Sequence, residues 1–176
     1  MRHIFSVLGA GLVLGLGTFS SANKAAAQAQ EKFTLTSPAF QHNQSIPSQY
    51  SCQGADVNPP LLITGIPSGT KTLALIVDDP DAPMGMWVHW VVYNIPPGPE
   101  IKENSVPGVE GLNDFGRTAY GGPCPPSGTH RYFFKLYALD QEIPPTKKMT
   151  KKDLLAVMKN HVVAETNLMG VFAKGR

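Results

Sequence analysis

Two histidines, a group of aspartates and one cysteine beside a glycine-proline loop are the residues whose types and spacing could do chemistry. Asp78, Asp79 and Asp81 surround Pro80 at the end of an apolar run, with Pro83 close behind. His89 follows in a second run. His130 opens a third, directly after the segment from Tyr120 to Thr129 that carries Gly121, Gly122, Pro123, Cys124, Pro125 and Pro126. Proline fixes φ and removes a backbone donor, so the aspartate loop is stiff, and a carboxylate held there could orient an imidazole or accept a proton from a ligand. Two imidazoles, a tyrosine hydroxyl and the successive N–H groups of a glycine turn would suit a phosphate or a carboxylate.

Taken singly, each piece also has a plain structural account: Asx hydrogen bonds in a turn, a packed strand histidine, an open loop. Their arrangement favours a site, because adjacent antiparallel strands bring the end of one, Asp79, near the beginning of the next, His130. A hydrolase is the competing chemistry, with Cys124 as nucleophile, His130 as base and Asp79 as orienter, and it requires a free Cys124 thiol. Two histidines, an aspartate and a cysteine are also adequate metal ligands. No pair has H-x-x-x-H or C-x-x-C spacing, however, so no metal ligand is assigned and no cofactor is expected. A third class is an inhibitor of a protease or kinase, with the long Pro96 to Thr129 segment as its contact surface.

The elements that must position these residues are mostly strands. Thr72 to Val77 is a nearly continuous apolar run rich in β-branched residues, which predicts a buried strand. Met86 to Ile95 and Arg131 to Leu139 repeat the pattern, and Phe33 to Leu35 and Leu61 to Ile63 are shorter candidates. Thr150, with Asp153 three residues later, predicts a capped helix running to about Ala164–Asn167, and Leu168 to Phe172 a short final strand. The expected class is mainly β: an antiparallel β-sandwich with a C-terminal helix followed by a short strand. The 17 glycines and 16 prolines fit such a loop-joined architecture better than a helical bundle.

At the N-terminus, Arg2 and His3 precede an uncharged apolar stretch from Ile4 to Phe19, shorter than the roughly 20 residues of a spanning helix. Small residues follow it. Residues 1–27 therefore read as a secretory signal with a cleavage site at Ala25-Ala26-Ala27, or alternatively at Ser20-Ser21-Ala22, an uncleaved membrane anchor being the less favoured reading on length. Residues 28–32 read as a linker and 33–176 as one domain. Export implies a periplasmic or secreted protein with no stable membrane insertion once the signal is cleaved. Removing Arg2 and Lys24 from 15 basic residues leaves 13 against 13 acidic ones, so the mature chain is formally neutral. Nothing in that balance attracts nucleic acid, and Lys147, Lys148, Lys151 and Lys152 read as a solvated helix entry. An oxidising compartment permits a disulfide between Cys52 and Cys124; two buried thiols are the other arrangement.

The run Asp79 to Pro83, the Trp87-x-His89 strand and the Gly121 to Tyr132 segment together resemble the phosphatidylethanolamine-binding protein family. Tyr50-Ser51-Cys52, Asn58-Pro59-Pro60-Leu61 and Cys124 within its loop resemble the bacterial Raf-kinase-inhibitor-like (YbhB/YbcL-type) branch. The similarity runs from about Phe33 to Ala173. It implies a β-sandwich whose surface pocket binds phosphate, phospho-headgroups or similar small anions, with no established catalytic reaction. By position, the resemblance implies a pocket formed by Asp79, Pro83, His89, Gly122, Pro126, His130 and Tyr132, with Tyr120 at its edge. Asp79 would orient an imidazole and the histidines would donate hydrogen bonds. The implied partner is a small anionic ligand, and a protein partner is left unnamed.

Overall fold

The computed structural model describes residues 31–175, so the segment read as a secretory signal and most of the segment read as a linker lie outside the described residues. Among these residues eight strands and one α-helix follow in chain order, with a 3-10 turn at Ser48–Tyr50: β1 Thr34–Thr36, β2 Leu61–Thr64, β3 Thr72–Asp79, β4 Trp87–Ile95, β5 Glu100–Ile101, β6 Val109–Glu110, β7 Thr129–Leu139, α1 Lys151–Met158 and β8 Val162–Ala173. They form two antiparallel sheets. The smaller has the order β1-β2-β5 and the larger β6-β4-β3-β7-β8. The architecture is therefore the expected mainly-β sandwich with a late helix followed by a strand.

β3 explains why its sequence lacks alternation. It lies in the middle of the larger sheet and every one of its residues is buried. Leu73, Leu75 and Val77 face the smaller sheet, where they pack with Leu35, Leu61, Ile63, Trp90 and Phe134. Ala74 and Ile76 face the other way, into a second core closed by Ile143, Met149, Leu154 and Met158. A strand buried on both faces needs apolar residues at both parities. The same alternation carries into its polar end, sending Asp79 and Asp78 to opposite faces of the sheet.

The C-terminal boundaries differ from expectation. Thr150 and Asp153 do form a reciprocal capping box, but the helix ends at Met158. Val162 and Val163 are β-branched and belong to β8, which pairs with β7 along nearly its whole length and runs for 12 residues instead of five. Tertiary pairing with an 11-residue neighbour outweighs the helical spacing of residues 154–162. The long Pro96 to Thr129 segment carries two short strands, β5 and β6.

Candidate functional site

The site forms where β3, β4 and β7 end together. Asp78 pairs with Phe133 in the β3–β7 ladder, which sets Asp79 beside Tyr132 and His130. On β7 the residues 130, 132, 134 and 136 are buried while 131, 133 and 135 are more exposed, so His130 and Tyr132 share the face of Asp79. The Asp79 carboxylate accepts a 2.7 Å hydrogen bond from His130 Nδ1, with both side chains almost fully buried. Its other oxygen accepts the Asp81 amide at 2.8 Å, which stiffens the turn. Asp81 in turn accepts bonds from the Arg131 amide and guanidinium at 2.7–2.9 Å, tying the aspartate loop to the start of β7.

His89 reaches the same place through an irregularity. Val77 pairs with Trp90 but Asp78 pairs with Val88, so His89 is an extra residue in the β3–β4 ladder. A bulge of this kind re-aims a side chain and frees its backbone from the ladder. The freed His89 carbonyl accepts the Gly121 amide at 3.1 Å and the Asn113 side-chain amide at 3.2 Å. The His89 Nδ1 then donates to the Gly121 carbonyl at 2.7 Å. A carbonyl can only accept, so Nδ1 carries the proton and Nε2 is left toward the cavity. Burial lowers the His89 pKa, with the Gly121 carbonyl and Asp79 opposing that shift.

Asp79, Pro83, His89, Pro126, His130 and Tyr132 line one cavity of about 330 Å³, joined by Ala82, Met84, Trp87, Phe115, Cys124 and Pro125. Six of the eight residues expected at a pocket thus meet. Most of the wall is apolar, and the polar groups are few and convergent, as in small-molecule sites generally. The Tyr132 hydroxyl is buried beside the Asp79 carboxylate and the Cys124 backbone but is in good hydrogen-bond geometry with neither. Burial, together with the nearby Asp79 carboxylate, pushes its pKa upward, so it is a protonated donor. Phe115 packs edge-on against both Trp87 and His89, with ring centroids 5.4 and 5.3 Å apart.

Tyr120 and Gly122 do not reach this wall. The Tyr120 ring packs in the core against Trp90, its hydroxyl donates to the Tyr50 carbonyl at 3.0 Å, and burial drives its pKa up. The Gly122 amide donates to the Asp56 carboxylate at 2.6 Å. With the Gly121 amide on the His89 carbonyl, the glycine pair offers no free anion nest. The glycines serve close packing instead, since a Cβ on Gly122 would come within 2.3 Å of the Tyr50 carbonyl oxygen. Asp56 was not singled out from the sequence because it lies 66 residues from its partner. Phe115 and Asn113 were missed too, being isolated in a stretch without periodicity.

Cys52 and Cys124 form a disulfide with Cα atoms 5.4 Å apart, and no described cysteine is free. It closes a 72-residue separation, worth about 4 kcal/mol in the chain-entropy account. The bond consumes the thiol on which a Cys124 hydrolase depends. Among the described residues no cluster of three or more His, Cys, Asp or Glu could hold a metal, and no helix is long and apolar enough to cross a membrane.

Sandwich, end-on cavity and paired imidazoles define a binding-protein fold. The chain belongs to the phosphatidylethanolamine-binding protein family, whose sequence pattern matches residues 36–173. It is 46% identical over 149 residues to a UPF0098 protein of Methanothermobacter thermautotrophicus, covering 80% of this chain and 99% of that one. It is similar to the crystal structure of a phosphatidylethanolamine-binding protein homologue from Chlamydia trachomatis, with a TM-score of 0.79 and 42% identity over 81% of this chain and 98% of that chain. YbcL of E. coli, described as a member of the mammalian family, matches with a TM-score of 0.76 and 29% identity over 82% of this chain and 100% of its own.

Proposed function

We propose that this chain is an exported, non-catalytic binding protein, periplasmic or secreted and Raf-kinase-inhibitor-like, whose cavity holds a small anion such as phosphate, a carboxylate or a phospho-headgroup. The observation that carries this reading is the convergence of His89, His130 and the unpartnered Tyr132 hydroxyl on one largely apolar cavity. Each imidazole is fixed through Nδ1, by Gly121 or by Asp79, which commits Nε2 to whatever enters. A non-catalytic role is supported by the loss of the Cys124 thiol to Cys52.

Calorimetric titration with inorganic phosphate tests the reading. Saturable binding in the micromolar to millimolar range is expected, abolished in the His89→Ala/His130→Ala double variant. Absence of saturable binding by phosphate, acetate and phosphoethanolamine overturns it. The exposed apolar rim of Met84 and Phe115 supports a second reading, in which a protein partner, such as a protease or kinase, covers the mouth. Binding of such a partner would survive the double histidine variant.

A further inference from the structure

The hydrogen-bond polarity of the cavity goes further than its shape. With Nδ1–H given to the Gly121 carbonyl, neutral His89 presents a lone pair at Nε2, an acceptor and not a donor. The Tyr132 hydroxyl presents the opposite polarity, a buried donor beside Asp79 that is in good hydrogen-bond geometry with no group. His130, held through Nδ1 by Asp79, presents a second Nε2 on the same wall. An anion that carries only bare oxygens meets repulsion at His89. One that still carries a hydroxyl proton satisfies it.

We propose that His89 makes this cavity selective for tetrahedral anions that still carry a proton, inorganic phosphate above all, over sulfate and other fully ionised oxyanions. This rests on the anion-pocket reading above. Inorganic phosphate near neutral pH still carries a proton and can donate P–O–H to His89 Nε2, while its charged oxygens accept from the Tyr132 hydroxyl; a phosphomonoester keeps such a proton only below about pH 6. Whether the proton stays on the ligand or moves to Nε2, it comes from the ligand, and the complex has the same proton count. Sulfate brings none. It binds only if solvent supplies one proton to His89, which burial disfavours.

The groups facing His89 support this assignment. Asp79 from β3 and Asp114 from the loop beside β4 are the carboxylates whose charges act on it. Tyr132 from β7 packs edge-on at 5.2 Å, and the Arg117 guanidinium lies over the Phe115 ring, 5.4 Å from its centroid, and is not among the residues that line the cavity.

Titration of the full mature chain with sodium phosphate and with sodium sulfate, from about pH 5.5 to 8, tests the proposal by calorimetry. Phosphate should bind at least about tenfold tighter than sulfate near neutrality. Above the depressed His89 pKa, the ratio should grow by about tenfold per pH unit, because sulfate alone takes up the extra proton, until phosphate itself deprotonates. In His89→Gln the side-chain amide can turn its NH₂ toward the ligand, and the ratio should fall toward one. Equal affinity of wild-type protein for the two anions, or a pH-independent ratio, overturns the selectivity and leaves the anion pocket standing. No saturable binding of either anion at any pH overturns the pocket itself. Both decisive readouts use the wild-type chain and do not depend on the variant folding.

Discussion

Asp78 and Asp79 are consecutive, equally inaccessible and part of the same strand, yet they stand in different circumstances because the strand sends them to opposite faces of the sheet. On the outer face, Asp78 meets Lys135 Nζ at 2.9 Å and Lys151 Nζ at 2.5 Å, linking β3, β7 and the first residue of α1. On the inner face, Asp79 meets one imidazole and one amide at the wall of a cavity. The first carboxylate is surrounded by cations whose stems and charges lock three elements together. The second holds a ring whose remaining nitrogen is available. Burial alone does not separate a structural acid from a site acid; the partner's unused valence does.

Removing Asp78 gives the largest expected effect. Asp78→Ala strands two ammonium groups at a partly covered position, and breaking a buried ion pair from one side costs about 3–5 kcal/mol. Lys135 and Lys151 retain some solvent contact, which places the loss at the lower end, about 3 kcal/mol. The urea midpoint should fall with an unchanged slope, while phosphate affinity measured on the folded protein stays within twofold or so of wild type. Loss of phosphate affinity in the folded variant would erase the distinction between the two faces.

Asp79→Ala should behave the other way. The His130 ring loses the acceptor that fixes its orientation, and phosphate affinity should drop by about tenfold, in line with one misdirected charge-assisted bond. Stability should fall by less than in Asp78→Ala, because the bonds from one imidazole and one backbone amide are lost and no lysine is left unpaired. The pair of variants thus forms a crossed test: stability reports the outer face, affinity the inner. Equal loss of affinity in both would mean that the sheet end moves as one body.

Half of this contrast is readable from residue order, namely the meeting of Asp79 with His130, and the reasons are local. Antiparallel pairing brings Asp79 to His130 once β3 and β7 are neighbours, whereas a run apolar at both parities gives no sign of which face Asp78 and Asp79 each take. The same reasoning did not reach the His89 bulge, since one extra residue in a ladder leaves no mark in an apolar run. Gly121 and Gly122 looked like an anion nest because a glycine pair permits one, whereas their amides are spent on His89 and on Asp56 from a distant loop. The helix end was misplaced for a related reason: Val162 fits the helical spacing, and only the long partner strand decides for β8.

Asp81 supplies the smallest and most pH-dependent effect, and it refines the comparison by adding a carboxylate of the same loop that is neither buried clamp nor cavity wall. Its hydrogen bonds to the Arg131 side chain, aided by the Arg131 amide and charge, lower its pKa from 3.8 to about 2. A folded pKa below the unfolded one means the ionised form favours the folded state, so the contribution is complete above about pH 4 and fades as pH falls toward 2. The Arg131 side chain is half exposed, so water and salt screen the pair, and the net worth is well below that of Asp78. Thermal melts of wild type and Asp81→Asn should therefore differ slightly at neutral pH and low salt, and converge both on acidification through that window and on addition of salt. A difference that persists at pH 2 would mean that the loop is held by its two prolines and its packing, with the Arg131 fork contributing nothing to the seating of Pro83 at the cavity wall.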